Sequence, residues 1–261
     1  MSTIRMDDRE GGVRLLTLDR PPANAIEETL LGDLSAALVD AQTDDAVRAV
    51  VLTGAGRFFS GGLDLGVQRG DDAFGRMLLE QYREAHVRLL ALPKPTIAML
   101  NGHAIAGGLI LLLACDFRLG LDADYRIGLN EVAIGAAFPK IAFETVRLRL
   151  DHAQASELLL GAEIYPASEA LRLGVVDELL PAATFEETVL RCAARLAAYP
   201  NEAYAHTKTA LVAEAVARVE AESPEDAARG VAVWMTPESL AARGAQQEKL
   251  GKRPPAERKG A

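Results

Sequence analysis

Apolar residues fall along the chain in two rhythms. Short runs at Val13–Leu18, 47–52 and 97–100 read as strands, and the last two are apolar enough to be buried on both faces. Between the first two, Ile26, Leu30, Leu31, Leu34, Leu38 and Val39 recur at helical spacing, and a second helical region spans about 72–92. Phe117–Leu121 and residues 125–128 read as short strands around a turn at Asp122-Ala123-Asp124, and helices are expected at about 140–150, 153–160 and 167–173. From Phe185 onward the sequence is Ala-rich and helical, ending in a charged tail at 248–259. Strands alternating with helices predict an α/β core of stacked parallel strands over residues 1–184. Residues 185–261 form a helical region expected to act as a lid or a subunit contact.

One stretch departs from plain alternation. Lys94-Pro95 opens the apolar run 97–100, Asn101-Gly102 breaks it, and Gly107-Gly108 then leads into the apolar run 109–115. A helix so apolar belongs in the core. A glycine pair at its start exposes unpaired N–H groups, with no side chain over them, at the positive end of the helix dipole. A second pair, Gly61-Gly62, follows the strand at 47–52. Singly, each pair is ordinary loop conformation. Together, two such loops on adjacent strands could aim two N–H groups at one oxygen, as a thioester or ester requires when its carbonyl becomes an enolate or tetrahedral anion.

Composition narrows the classes. Of 261 residues, 49% are hydrophobic and 25% charged, which is ordinary for a soluble domain, and a net charge of -9 argues against nucleic acid as the main partner. Cys115 and Cys192 are too far apart and too few for a disulfide framework or a metal cluster, so a reducing, cytoplasmic setting is expected. The N-terminus lacks the apolar segment of a signal peptide, and 97–115 reads as strand, turn and helix rather than a membrane span.

The remaining candidates are few. Gly54-Ala55-Gly56-Arg57-Phe58-Phe59 lacks the Gly-Lys-Ser/Thr ending of a phosphate loop, and Phe59 stands where a dinucleotide turn needs glycine. Ser60 is outside a Gly-x-Ser-x-Gly elbow, since Phe58 occupies the first glycine position, and reads as a turn hydroxyl. His86, His103, His152 and His206 show no ligand or triad spacing, although His103 lies in the glycine turn. Glu131 precedes an apolar run, where a carboxylate is either paired, capping a helix, or functional.

Taken in order, Phe59-Ser60-Gly61-Gly62-Leu63-Asp64-Leu65, Lys94-Pro95 through Gly108, Ala114-Cys115-Asp116-Phe117-Arg118, and Ala167-Ser168-Glu169-Ala170 through Asp177 resemble the enoyl-CoA hydratase/isomerase (crotonase) superfamily. The resemblance covers about 13–181. It implies a spiral core of ββα turns with C-terminal helices that trimerise, giving a homotrimer or a dimer of trimers. It also implies acyl-CoA thioester substrates and no metal or separate cofactor, coenzyme A being part of the substrate. By motif position the oxyanion donors are the N–H groups of Leu63 and Gly107. Ala23, Asn24, Ala25, Ser60, Gly61, Gly62, Asp64, Leu65, Gly108 and Ile110 fall on the substrate-binding positions. Of the two acid/base positions of the hydratases, one carries Glu131 and the other Ile110, which has no proton chemistry. With the context Ile127-Gly128-Leu129-Asn130-Glu131, this resembles the Δ3-Δ2-enoyl-CoA isomerases, which work with a single glutamate.

Overall fold

The computed structural model describes residues 2–64, 74–75 and 77–251. Two sheets organise it. The larger has six strands: β1 (Ile4–Arg9), β2 (Val13–Leu18), β3 (Ala49–Gly54), β5 (Thr96–Leu100), β7 (Phe117–Leu121) and β10 (Glu178–Leu180), adjacent in that order. The smaller has β4 (Phe58–Ser60), β6 (His103–Ile105), β8 (Arg126–Gly128) and β9 (Ile164–Pro166). From β3 onward each turn of chain gives one strand to each sheet, as β3/β4, β5/β6 and β7/β8, with a helix before the next turn. This is the ββα spiral.

The strands at 47–52, 97–100 and 117–121 form where the apolar runs put them, and β3 and β5 are buried along their whole length. Successive side chains of a strand face opposite sides, and both sides are covered. Leu16, Leu18, Val50, Leu52, Ala98 and Leu100 join the main core with helices α1 (Glu28–Thr43), α2 (Arg83–Ala91) and α3 (Gly107–Ala114). Val13, Leu15, Val51, Ile97 and Leu119 meet Phe185, Val189, Ala193 and Leu196 of α6 (Phe185–Ala197) on the other side. The first helix after residue 184, α6, thus shares a core layer with the strands.

Two features differ from the expectation. The N-terminal residues 4–9 form an antiparallel edge strand, joined to β2 through Gly11 and Gly12 at φ 76° and 73°. Only Ile4 of β1 is buried, so no apolar alternation marks it. The helix expected over 167–173 is one 3₁₀ turn, Ala167–Glu169, followed by turns that end at Gly174 with φ 68°. The helices α4 (Lys140–Arg149) and α5 (His152–Gly161) match the periodic pattern closely. The region expected as helix from 72 contains residues outside those described; within it, Met77–Tyr82 is wound as a π-helix that runs directly into α2.

Side-chain amides join one spiral turn to the next. Asn101 donates to the Gly54 and Gly56 carbonyls at 2.8 and 3.0 Å and accepts from the Gly54 N–H. Asn24, itself at φ 49°, donates to the carbonyls of Ala55 and Phe58 at 3.0 and 2.8 Å. Lys94 caps the C-terminal carbonyls of α1 through Ala41 and Asp44, where a cation meets the negative end of the dipole. The remaining helices are α7 (Asn201–Glu220), α8 (Pro224–Trp234) and α9 (Pro237–Gly251). Lys208 of α7 reaches into the core to Asp116 at 2.8 Å and also donates to the Lys94 carbonyl and Thr96 Oγ1.

Removing Lys208 takes the shortest ion pair from the half-buried Asp116 carboxylate and leaves it Arg149 at 3.4 Å and the Tyr204 hydroxyl at 3.0 Å. Lys208→Ala is expected to lower unfolding free energy by about 2 kcal/mol in a denaturant titration.

Candidate active site

The two glycine pairs meet backbone to backbone. A Cβ on Gly108 would stand 2.3 Å from the Ser60 carbonyl oxygen, and one on Gly62 would stand 2.7 Å from the Ile105 oxygen and 3.2 Å from the Gly107 nitrogen. Gly62 also takes φ 81°, where a side chain is disfavoured. The contact carries the Gly61–Leu63 loop onto the start of α3.

Each loop leaves one N–H over. Ile26 N–H donates to Gly62 and Asp64 N–H donates to Ile26, at 2.8 and 2.9 Å, as a parallel bridge requires. Alternation along the extended chain turns the Leu63 N–H to the opposite side. Gly107 is the first residue of α3, so its N–H has no intrahelical acceptor. Ala106 before it lies at φ 52°, ψ -131°, a strained setting for a residue with a Cβ. The Ala106 N–H is tied to Gly128 at 2.8 Å. Among the described residues neither the Leu63 nor the Gly107 N–H has a hydrogen-bond acceptor.

Both residues line a cavity of about 570 Å³ whose wall also includes Tyr82, Ile105, Ile134, Pro139, Trp234 and Glu131. Glu131 follows the end of β8 and precedes the 3₁₀ turn Val132–Ile134. It is 6% exposed, and its Oε2 has no hydrogen-bond partner. Burial without a nearby cation pushes its pKa up from 4.5 to about 8, against a smaller opposing effect from its own backbone N–H. Of the alternatives open for this carboxylate, pairing and capping are both absent: Glu131 forms no ion pair among the described residues, and the 3₁₀ turn takes no side-chain cap from it. No other carboxylate lines the cavity among the described residues.

The sequence-selected residues divide. Ala23, Gly61, Leu63, Gly107 and Glu131 are brought together in the cavity wall. Asn24 and Ser60 lie behind it and hold the loops: Ser60 Oγ donates to the Asn24 carbonyl at 2.8 Å and accepts from the Gly62 N–H at 3.2 Å. Ala25 accepts from Arg20, and Asp64 pairs with Arg20 at 2.7 Å. Gly62 and Gly108 make the loop contact and Ile110 is fully buried in the core; none of the three is in the wall. Leu65 lies outside the described residues. Ile110 sits on α3 with a side chain directed into the core, so the wall near Gly107 is formed instead by Tyr82, which no motif marks. Sequence reading also passed over Trp234, Gln246 and Lys249, contributed by α8 and α9. The π-helical turn is the structural signal for Tyr82, since such turns recur at functional sites.

His86 supports this wall from behind. It is fully buried, and its Nδ1 donates to the Tyr82 carbonyl at 2.7 Å; burial holds the ring neutral, with its pKa pushed down to about 4. At the cavity mouth His103 Nδ1 accepts from the Arg126 N–H at 2.9 Å, and its ring meets Phe58 at 4.7 Å. Among the described residues no group of three or more His, Cys, Asp or Glu is placed to hold a metal ion, and no helix is long and apolar enough to cross a membrane.

The sequence matches the profile of the enoyl-CoA hydratase/isomerase family over residues 8–239. It is 32% identical over 241 residues to a probable enoyl-CoA hydratase of Bacillus subtilis (strain 168), covering 85% of this chain and 92% of the relative. It is 31% identical over 204 residues to human mitochondrial enoyl-CoA delta isomerase 1, covering 77% and 68%. The crystal structure of human mitochondrial delta3-delta2-enoyl-CoA isomerase superposes with a TM-score of 0.90 at 26% identity, covering 99% of this chain and 100% of that one.

The buried carboxyl has a consequence for stability. Between pH 4.5 and about 8 the folded chain binds one proton more at Glu131 than the unfolded chain, so this group lowers stability as pH rises through that window. Glu131→Gln removes the decline. Its unfolding free energy is expected to match the parent at pH 4 and exceed it at pH 9 by on the order of 5 kcal/mol in denaturant titrations.

Proposed function

The chain belongs to the enoyl-CoA hydratase/isomerase family, a family of enzymes acting on acyl-CoA thioesters, and we propose that it moves the double bond of a 3-enoyl-CoA from C3 to C2. In this reading the thioester oxygen lies between the N–H groups of Leu63 and Gly107. Donors fixed before the substrate arrives do not have to reorganise as charge develops, and one such donor is typically worth about 10²–10³ in rate. Polarising the carbonyl acidifies the C2 proton. Glu131 takes that proton, the electron pair spreads over a dienolate, and the same carboxyl returns the proton at C4.

The observation that carries the proposal is the lone carboxylate. Hydration asks for a water held and activated between polar groups, whereas a 1,3-proton shift asks for one base that both accepts and returns a proton. Glu131 is the single carboxylate of the described cavity wall, which it shares with Ile105, Ile134, Pro139 and Trp234. A pKa near 8 makes it a stronger base than an ordinary glutamate and leaves it able to reprotonate carbon. The fit to the human isomerase along nearly the whole chain supports the same reading. The 32% identity to a probable hydratase keeps water addition as the competing reaction.

Two measurements decide between them. With a 3-enoyl-CoA, Glu131→Gln is expected to lower turnover roughly 10³-fold while acyl-CoA affinity is retained, because the amide keeps the side-chain shape and loses the base. Full turnover by that variant refutes the single-base scheme. With crotonyl-CoA, accumulation of 3-hydroxybutyryl-CoA at a comparable rate would establish hydration instead. The pH profile follows from the sign of the shift: the base must be ionised, so kcat/KM should rise tenfold per pH unit below about 8 and level off above it.

A further inference from the structure

Tyr82 is a second polar side chain of the same cavity, and the scheme above gives it no part. It closes the π-helical turn Met77–Tyr82, is 2% exposed, and lines the cavity wall. Its ring stacks on His86 with centroids 3.8 Å apart, and its carbonyl is the acceptor for Nδ1 of the same histidine. One buried, neutral imidazole thus fixes both its ring and its backbone. The ring edge and the hydroxyl each come within 3.3 Å of the point where a Cβ on Gly107 would stand. The phenol therefore lies against the residue that supplies one of the two cavity-facing N–H groups, and it fits there because residue 107 has no side chain.

The hydroxyl makes no hydrogen bond with any described residue, Glu131 included. A phenol held in a largely apolar wall is unfavourable unless something in the cavity accepts from it. The acceptor closest to hand is the oxygen that the Leu63 and Gly107 N–H groups would share.

We propose that Tyr82 is a further catalytic residue, whose hydroxyl donates a third hydrogen bond to the thioester oxygen. The proposal rests on the acyl-CoA reading of this cavity and holds for any reaction passing through an enolate. When C2 gives its proton to Glu131, the electron pair moves through C1 onto oxygen, and the phenol stabilises that oxygen while keeping its own proton. Burial, and to a lesser degree the Glu131 carboxylate, raise the phenol pKa well above its ordinary value, so the group serves as a donor only.

Tyr82→Phe keeps the ring and its stack on His86 and removes only the hydroxyl. The test uses the full-length protein with a saturated acyl-CoA carrying a ¹³C-labelled thioester carbonyl, followed by infrared difference spectroscopy. The bound carbonyl is expected to absorb at higher wavenumber in Tyr82→Phe than in the parent. In parallel, turnover should fall roughly 10- to 100-fold with KM nearly unchanged. A carbonyl band at the same position in both proteins overturns the proposal, whatever happens to turnover. Since the saturated ligand cannot isomerise, a band shift in a protein that fails to isomerise 3-enoyl-CoA would retain Tyr82's role and remove the isomerase reading alone. Failure to bind acyl-CoA would overturn both.

Discussion

Everything in the candidate site depends on one close backbone contact. The Gly61–Leu63 loop and the start of α3 approach so tightly that side chains at residues 62 and 108 would overlap backbone oxygens. That approach leaves the Leu63 and Gly107 N–H groups without acceptors among the described residues. Unpaired buried donors are unfavourable in an empty cavity and useful in one that receives a carbonyl. The neighbouring structure serves the contact: Ser60 and Asn24 anchor one loop, and the Ala106 bond to Gly128 fixes the other. The strained backbone of Ala106 is retained because the spiral holds it from both sides.

The same enclosure tunes the acid–base group. Glu131 is buried with one oxygen unpaired, which destabilises its charged form. The cost to the fold and the gain in basicity are two aspects of one desolvation. Polar support is instead spent away from the cavity, as in the Asp116–Lys208 pair and the Asn101 amide, where it fastens helices and turns.

Closure of the cavity comes from the C-terminal helices of the same chain. Trp234 at the end of α8 enters the wall, with its indole N–H donating to the Ala137 carbonyl at 2.9 Å and Arg243 stacked over its ring at 5.2 Å. Arg243 also donates to the carbonyls of Gly135 and Trp234. Gly135 itself lies against Ser239 of α9, so the segment just after Glu131 is wedged between the core and the final helix.

Much of this was legible in the residues. The apolar runs marked the buried strands, because strands covered on both faces need continuous apolar sequence. The glycine pairs marked the loops and Glu131 the carboxylate, since backbone proximity and a lone charge in an apolar run each leave a local trace. Ile110 shows the limit of such reading: its burial in an apolar helix and its lack of a proton group were visible, but the side of that helix it takes, away from the cavity wall, was not. Edge strand β1, with one buried residue, left no periodic signal. Tyr82, Trp234 and Lys249 are far from the motifs in sequence and reach the cavity only through the path of the spiral and the return of the C-terminal helices. A sequence determines which backbone segments can approach and which groups can ionise. Which side chains share a cavity is decided by long-range packing, because such a contact has no period and no fixed spacing along the chain.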